Sequence, residues 1–96
     1  MVSVIIPNYN GEYFLKACLE ALKRQTFDDM EVILVDNAST DDSIKLAKEL
    51  YREIRVIELH DNTGFAYAVN RGIEAAKGEY VLLLNNDTCL LYTSDA

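Results

Sequence analysis

Three short polar stretches each follow an apolar run, and their residue types suit the binding of a nucleotide and its phosphates. Asn85-Asn86-Asp87 follows Tyr80 to Leu84, Asp36-Asn37 follows Glu31 to Val35, and Pro7-Asn8-Tyr9 follows Val2 to Ile6. A carboxylate such as Asp87 can hold Mg2+ or Mn2+, hard cations that take oxygen ligands and bridge phosphates. The Asp36 carboxylate can accept a hydrogen bond from a ring N–H, such as that of a pyrimidine base. Tyr9 offers an aromatic face or a wall for that base. Each residue also has a plainer reading. Asn-Asn-Asp is a common turn, because Asn and Asp bond their own backbone. Asp36 can cap the helix that follows, although Ser39 and Thr40 are better placed for that. Tyr9 can be a loop aromatic covering the core. For a single strand end such as Asn-Asn-Asp the plainer reading is preferred, and for Asp36 and Tyr9 each is about an even bet, by the usual false-positive rate of short motifs. Three such strand ends meeting at one edge weigh more than any one of them.

The remaining chemistry is sparse. The single His60 has no Cys or second His at metal-ligand spacing and reads as a surface loop residue. Cys18 falls on an apolar helical face and reads as a small buried hydrophobe; with Cys89 it is too little for a disulfide framework. The formal net charge of −7 argues against nucleic acid or an anionic membrane surface as partner. An anionic ligand would then need a divalent metal to neutralise it. The first residues form no signal peptide, no stretch reaches membrane-span length, and a cytoplasmic location is the default expectation.

The elements that must position these groups alternate regularly. Val2 to Ile6 is β-branched, stops at Pro7 and reads as a buried first strand. A helix follows from about Glu12 to Gln25, with Leu15, Cys18, Leu19 and Leu22 on one face. Glu31 to Asp36 is the second strand. Ser39 or Thr40 caps a second helix running to about Tyr51, with Ile44, Ala47 and Tyr51 inward. Ile54 to Leu59 is the third strand. A third helix takes Gly64 to about Lys77, with Phe65, Ala68, Val69, Gly72, Ile73 and Ala76 on one face. Tyr80 to Leu84, short and uncharged, reads as a fourth strand buried on both faces. The order β-α-β-α-β-α-β demands a Rossmann-like three-layer α/β/α unit with a parallel sheet. In the nucleotide-binding arrangement the strands lie 3-2-1-4, and a crevice opens between the first and fourth. The 96 residues suffice for one small domain.

The chain resembles the amino-terminal half of family 2 glycosyltransferases, which have a GT-A fold. The resembling segments are Val2 to Asn10, Val35 to Asp41, Asn62-Thr63-Gly64-Phe65-Ala66 with Asn70-Arg71-Gly72, and Gly78 to Asp87. The run from Asn62 to Gly72 is most similar to the rhamnosyltransferase-type branch. The resemblance implies a nucleotide-diphosphate sugar donor, UDP- or dTDP-linked. It implies inverting transfer to a hydroxyl of an acceptor glycan or lipid-linked sugar, as in cell-surface polysaccharide synthesis. By match, Pro7 and Tyr9 lie beside base and ribose, and Asp36 binds the base. Asn8, Asn37, Asn62, Gly64, Asn85 and Asn86 are carried with these segments to the donor site. Asp87 matches the last acid of the Asp-x-Asp metal motif, and Asn85 replaces its first acid. That exchange weakens the expected hold on Mg2+ or Mn2+.

In this family the catalytic base and acceptor site follow the metal motif, and no residue here occupies that position. Residues 1–88 are expected to form the donor-binding part. Residues 89–96 do not continue the family pattern and are expected to be a tail, non-native in origin, of a truncated chain. The chain alone is expected to be inactive, and membrane association is expected only of a longer protein. Two rivals differ in class. A receiver-like signalling module would use Asp36 as phosphoacceptor, but needs an acidic pair after the first strand that is absent. A dinucleotide-dependent oxidoreductase needs Gly-x-Gly-x-x-Gly there, and only Gly11 is present. A truncated fragment without function is the remaining alternative.

Overall fold

The structure is a computed structural model that describes residues 1–24 and 29–85. Its elements run β1 (Val2–Asn8), α1 (Glu12–Lys23), β2 (Met30–Asp36), α2 (Ser43–Leu50), β3 (Arg55–Glu58), α3 (Phe65–Ala75) and β4 (Tyr80–Leu83). All strand pairs are parallel, in the order β3-β2-β1-β4. The expected 3-2-1-4 sheet is therefore the one formed.

The alternation along the inner strands divides the core in two. Val4 and Ile6 of β1 and Val32 and Leu34 of β2 meet Leu15, Cys18, Leu19 and Leu22 of α1 and Ala47 of α2 on one face. Ile5, Ile33 and Val35 meet Ala68 of α3 on the other. Successive strand residues point to opposite faces, so one continuous apolar run serves both helical layers. Gly72 lets α3 lie close to the sheet: a Cβ there would stand 2.6 Å from Ile5 Cγ2. Cys18 is fully buried as expected but is disulfide-bonded, which its reading as a plain hydrophobe missed.

Several boundaries differ from the sequence expectation. β1 runs through Pro7 to Asn8. Its pairing with β4 covers only Val2 to Ile5, so Pro7 lies beyond it and its missing N–H costs no ladder bond there. α2 begins at Ser43 after Asp42, with no side-chain cap from Ser39 or Thr40. In α3 only Ala68 and Gly72 are buried, and Phe65 and Ile73 stay exposed, because α3 packs over β1 and β2 rather than over β4. The largest difference is β4. Tyr80, Val81, Leu82 and Leu83 are 41–68% exposed, not buried on both faces. Among the described residues β4 is the edge strand and pairs with β1 alone, and neither described helical layer extends over it.

The amino end of the sheet is closed by one side chain. Glu31, at the start of β2, accepts hydrogen bonds from Ser3 Oγ at 2.5 Å, Lys77 N–H at 2.6 Å and Arg55 Nη1 at 2.8 Å. Arg55 also donates to the Ala75 carbonyl at the end of α3, and Gly78 N–H donates to Ser3 Oγ. β1, β2, β3 and both ends of the α3–β4 turn are thus tied to one carboxylate.

Candidate functional site

At the opposite end of the sheet, the loops after β1 and β2 are laced together by side chains. Asp36, the last residue of β2, is 2% exposed. Its Oδ1 accepts from Asn8 Nδ2 at 2.9 Å and Ser39 Oγ at 2.7 Å, and its Oδ2 accepts from Ser39 N–H at 2.9 Å. Asn8 is its direct cross-strand neighbour on β1. Ser39 Oγ in turn accepts the Asn10 N–H at 2.8 Å. Asn10 Oδ1 then accepts the N–H groups of Thr40 at 2.8 Å and Asp41 at 3.3 Å. Two residues in these loops, Asn10 (φ 49°) and Ala38 (φ 64°), have left-handed backbones. Asn tolerates that region well; Ala does so only at a cost that surrounding bonds must offset.

The lacing continues to the start of α1 and α2. Asp41 Oδ2 accepts the Glu12 N–H, and Glu12 Oε1 accepts the Asp42 N–H, both at 3.2 Å. Asp41 also accepts from the Ser43 N–H and hydroxyl. Its partial burial would raise its pKa, but these hydrogen bonds outweigh that and hold it below the usual carboxylate value.

Asn37 performs the same task toward α3. Its Oδ1 accepts Thr63 N–H at 2.8 Å and Thr63 Oγ1 at 3.1 Å, and its Nδ2 donates to the Gly64 carbonyl at 3.1 Å. Gly64 has φ 89°, a backbone that other residues rarely adopt, and it leads directly into α3. One amide therefore fixes the amino end of α3 against the end of β2.

Between these loops lies a cavity of about 340 Å3 lined by Pro7, Asn8, Tyr9, Asn10, Gly11, Phe14, Asn37, Asn62, Phe65 and Asn85. That volume lies within the range of small-ligand sites, which sit at such strand ends in open α/β sheets. Six of the residues singled out in the sequence, Pro7, Asn8, Tyr9, Asn37, Asn62 and Asn85, line it together. Asp36 and Gly64 do not. Asp36 points its carboxylate into the fold, toward Asn8 and Ser39, rather than toward a base; Gly64 contributes through its backbone. Asn86 and Asp87 lie outside the described residues. Sequence reasoning missed Asn10, Phe14 and Phe65 as wall residues. Asn10 carried a signal, as an Asn before Gly in a loop; Phe65 was read as core.

The lining is neutral: five amides and a phenol among aromatic and aliphatic groups, with no carboxylate. No group of three or more His, Cys, Asp or Glu side chains is close enough to hold a metal ion among the described residues. The described walls fit a nucleoside better than a cation. No described helix is long and apolar enough to cross a membrane.

Comparison with known proteins agrees with this geometry. The model of the glycosyl transferase family 2 domain matches residues 3–93. The glycosyltransferase GlyG of Streptococcus pneumoniae is 37% identical over 90 residues, covering 91% of this chain and 30% of that protein. The poly(ribitol-phosphate) beta-glucosyltransferase of Bacillus spizizenii is 40% identical over 92 residues, covering 90% of this chain and 14% of that protein. Among solved structures, residues 1–349 of S. aureus TarS in complex with UDP superpose with a TM-score of 0.85 at 34% identity, covering 90% of this chain and 27% of that one. The mannosyltransferase PcManGT from Pyrobaculum calidifontis, in complex with GDP-Man and Mn2+, gives 0.83 at 29% identity, with 90% and 27% covered. The chain spans less than a third of the length of these relatives. With a matching family model over nearly its whole length and the nucleotide-binding sheet order of a GT-A fold, this chain belongs to glycosyl transferase family 2.

Proposed function

We propose that this chain is the donor-binding part of an inverting glycosyltransferase that uses a UDP- or dTDP-linked sugar. The acceptor is a hydroxyl of a glycan or lipid-linked sugar in cell-surface polysaccharide synthesis. The observation that carries the reading is the cavity at the carboxyl end of β1 and β2, where Pro7, Asn8, Tyr9, Asn37, Asn62 and Asn85 converge. Support comes from relatives: TarS residues 1–349 were solved with UDP and with UDP-GlcNAc, and PcManGT with GDP-Man and Mn2+. In the reaction, the acceptor oxygen bonds to the anomeric carbon as the bond to the diphosphate breaks. A general base takes the acceptor proton. We assign no base to this chain and expect the 96 residues alone to transfer no sugar.

Tyr9 and Phe65, both about half exposed, serve as apolar walls for base and ribose. Asn8 and Asn37, whose amides are held by Asp36 and by Thr63 and Gly64, shape the wall, and Asn62 and Asn85 line it beside ribose and phosphate. Asp87 would hold Mg2+ or Mn2+ beside Asn85 and Asn86, where the cation supplies the positive charge a diphosphate needs. The segment from Asn62 to Gly72 supports a rhamnosyltransferase-like donor, although Gly72 itself is accounted for by packing on Ile5. We assign the chain to the cytoplasm.

Thermal melts with UDP and dTDP, each with and without Mn2+, test the reading. Ligand at about 100 times its dissociation constant adds roughly 2.7 kcal/mol. At about 4–8 °C per kcal/mol for a domain of this size, the midpoint should rise by roughly 10 °C or more. Asp87→Asn should remove the Mn2+-dependent part only. No shift with either nucleotide, with or without metal, overturns the proposal.

A further inference from the structure

We propose that Asp36 is a positioning residue of the nucleotide pocket: it fixes the pocket's two loops through Asn8 and Ser39 and does not touch the ligand. The inference rests on the reading of the cavity as a nucleotide site. A carboxylate at this strand end is well suited to a ring N–H, so the observed geometry has to be weighed against that role. Both Asp36 oxygens are already engaged, Oδ1 by Asn8 Nδ2 and Ser39 Oγ, and Oδ2 by the Ser39 N–H. The side chain is almost wholly buried and contributes nothing to the cavity wall. Turning it toward a ligand would strip a buried amide and a hydroxyl of their partner, which is more costly than the one bond gained.

What Asp36 holds is on the wall. Asn8 lines the cavity directly. Ser39, oriented by Asp36, presents its oxygen to the Asn10 N–H, and Asn10 both lines the cavity and gathers the Thr40 and Asp41 amides. Tyr9 lies between Asn8 and Asn10, so its place on the wall is set from both sides. The left-handed backbones at Asn10 and Ala38 fall inside this network, where the bonds hold conformations the chain would otherwise leave.

The experiment uses the whole chain and two variants of the network, Ser39→Ala and Asp36→Asn, with Ser39→Thr as rescue. In the free protein, amide hydrogen exchange of Asn10, Thr40 and Asp41 should speed up about tenfold or more in Ser39→Ala, as expected for loss of a hydrogen bond to a charged network. Amides in the middle of β1 and β2 should keep their protection, and Ser39→Thr should restore the loops. Calorimetric titration with UDP should show Ser39→Ala and Asp36→Asn each weakening affinity about tenfold, with the double variant little worse than either. N3-methyl-UDP should be discriminated from UDP to the same degree by wild type and Ser39→Ala. Unchanged exchange in Ser39→Ala overturns the inference. So does wild-type UDP affinity in Ser39→Ala alongside a loss in Asp36→Asn, since that pattern means direct contact. If wild type binds no UDP, the nucleotide reading falls, and the exchange measurements still decide whether Asp36 positions the loops.

Discussion

The two ends of β2 are built alike and put to different ends. Each carries a carboxylate, Glu31 at the start and Asp36 at the finish, and each accepts a hydrogen bond from the β1 residue directly across, Ser3 or Asn8. Each also accepts one backbone N–H, Glu31 that of Lys77 after α3 and Asp36 that of Ser39 in the next loop. At the amino end the carboxylate meets a cation, Arg55, and the knot closes over the tail of α3. At the carboxyl end the described partners of Asp36 are neutral, and the loops it holds stand apart around a cavity. The same construction serves stability where charge is matched and nothing is left open. It serves a binding site where the knot ties loops rather than elements.

The sharpest way to break the comparison is Glu31→Gln. Burial alone would raise the Glu31 pKa, but bonds from Ser3, Lys77 N–H and Arg55, with the Arg55 charge, bring it down from 4.5 to about 2. A folded-state value below the unfolded one means stability that is full above about pH 4.5 and lost as pH falls toward 2. Glu31→Gln should cost about 2–3 kcal/mol at pH 7, the upper range for hydrogen bonds to a charged group. It should also flatten the stability profile between pH 4.5 and 2. Urea melts across that range check both. Loop amide exchange at Asn10 and Thr40 should be unaltered, since the two knots share only β1 and β2 between them. A change there would mean the ends are coupled.

Gly72→Ala strains the molecule between the ends. The added Cβ would meet Ile5 Cγ2 at 2.6 Å and Val35 Cγ2 at 3.1 Å. Overpacking of this kind costs about 1–3 kcal/mol. α3 is anchored at its tail by Arg55 on the Ala75 carbonyl and at its head by the Asn37 amide on Thr63 and Gly64. If the charged knot is the stiffer, the head should move more. UDP affinity should then fall alongside the melting midpoint. An affinity loss absent while the midpoint falls would make the tail the yielding end.

Ala38→Gly works in the other direction. Ala38 sits at φ 64° inside the Asp36 knot, and Gly adopts that backbone freely. The strain relieved and the unfolded-state entropy added oppose one another, so a net gain of about 0.5–1 kcal/mol is expected, read as a raised melting midpoint. A loss instead would show that the loop draws on the Ala38 methyl for packing.

The sheet order and the meeting of three strand ends were legible because hydrophobic period and connection length leave few topologies for alternating strands and helices. The direction of a polar side chain was not. Asp36 reads the same whether its oxygens face a ligand or Ser39, and the spacing of Ser39 three residues on fits both a helix cap and the local turn observed. Glu31 gave no signal, since its partners come from residues as distant as Lys77. β4 misled because apolar character reports what a strand can bury and not what lies over it; among the described residues it pairs with β1 alone.

The smallest effect should come from an ion pair on α3 that belongs to neither knot. Arg71 and Glu74, one turn apart on α3, approach to 3.4 Å with side chains 43% and 65% exposed. Glu31 and Arg55 make the same kind of pair at 2.8 Å, but the Glu31 side chain is only 12% exposed and has further donors. If charge alone set the value of an ion pair, Glu74→Gln should cost as much as Glu31→Gln. Water and salt screen an exposed pair, and holding two long side chains together costs entropy, so such pairs contribute under about 0.5 kcal/mol. Glu74→Gln should therefore leave the urea midpoint within error of wild type at low and high salt. The Glu31→Gln deficit should persist in high salt. A Glu74→Gln cost above about 1 kcal/mol would exceed the range for exposed pairs and place the difference between the knots in charge rather than burial.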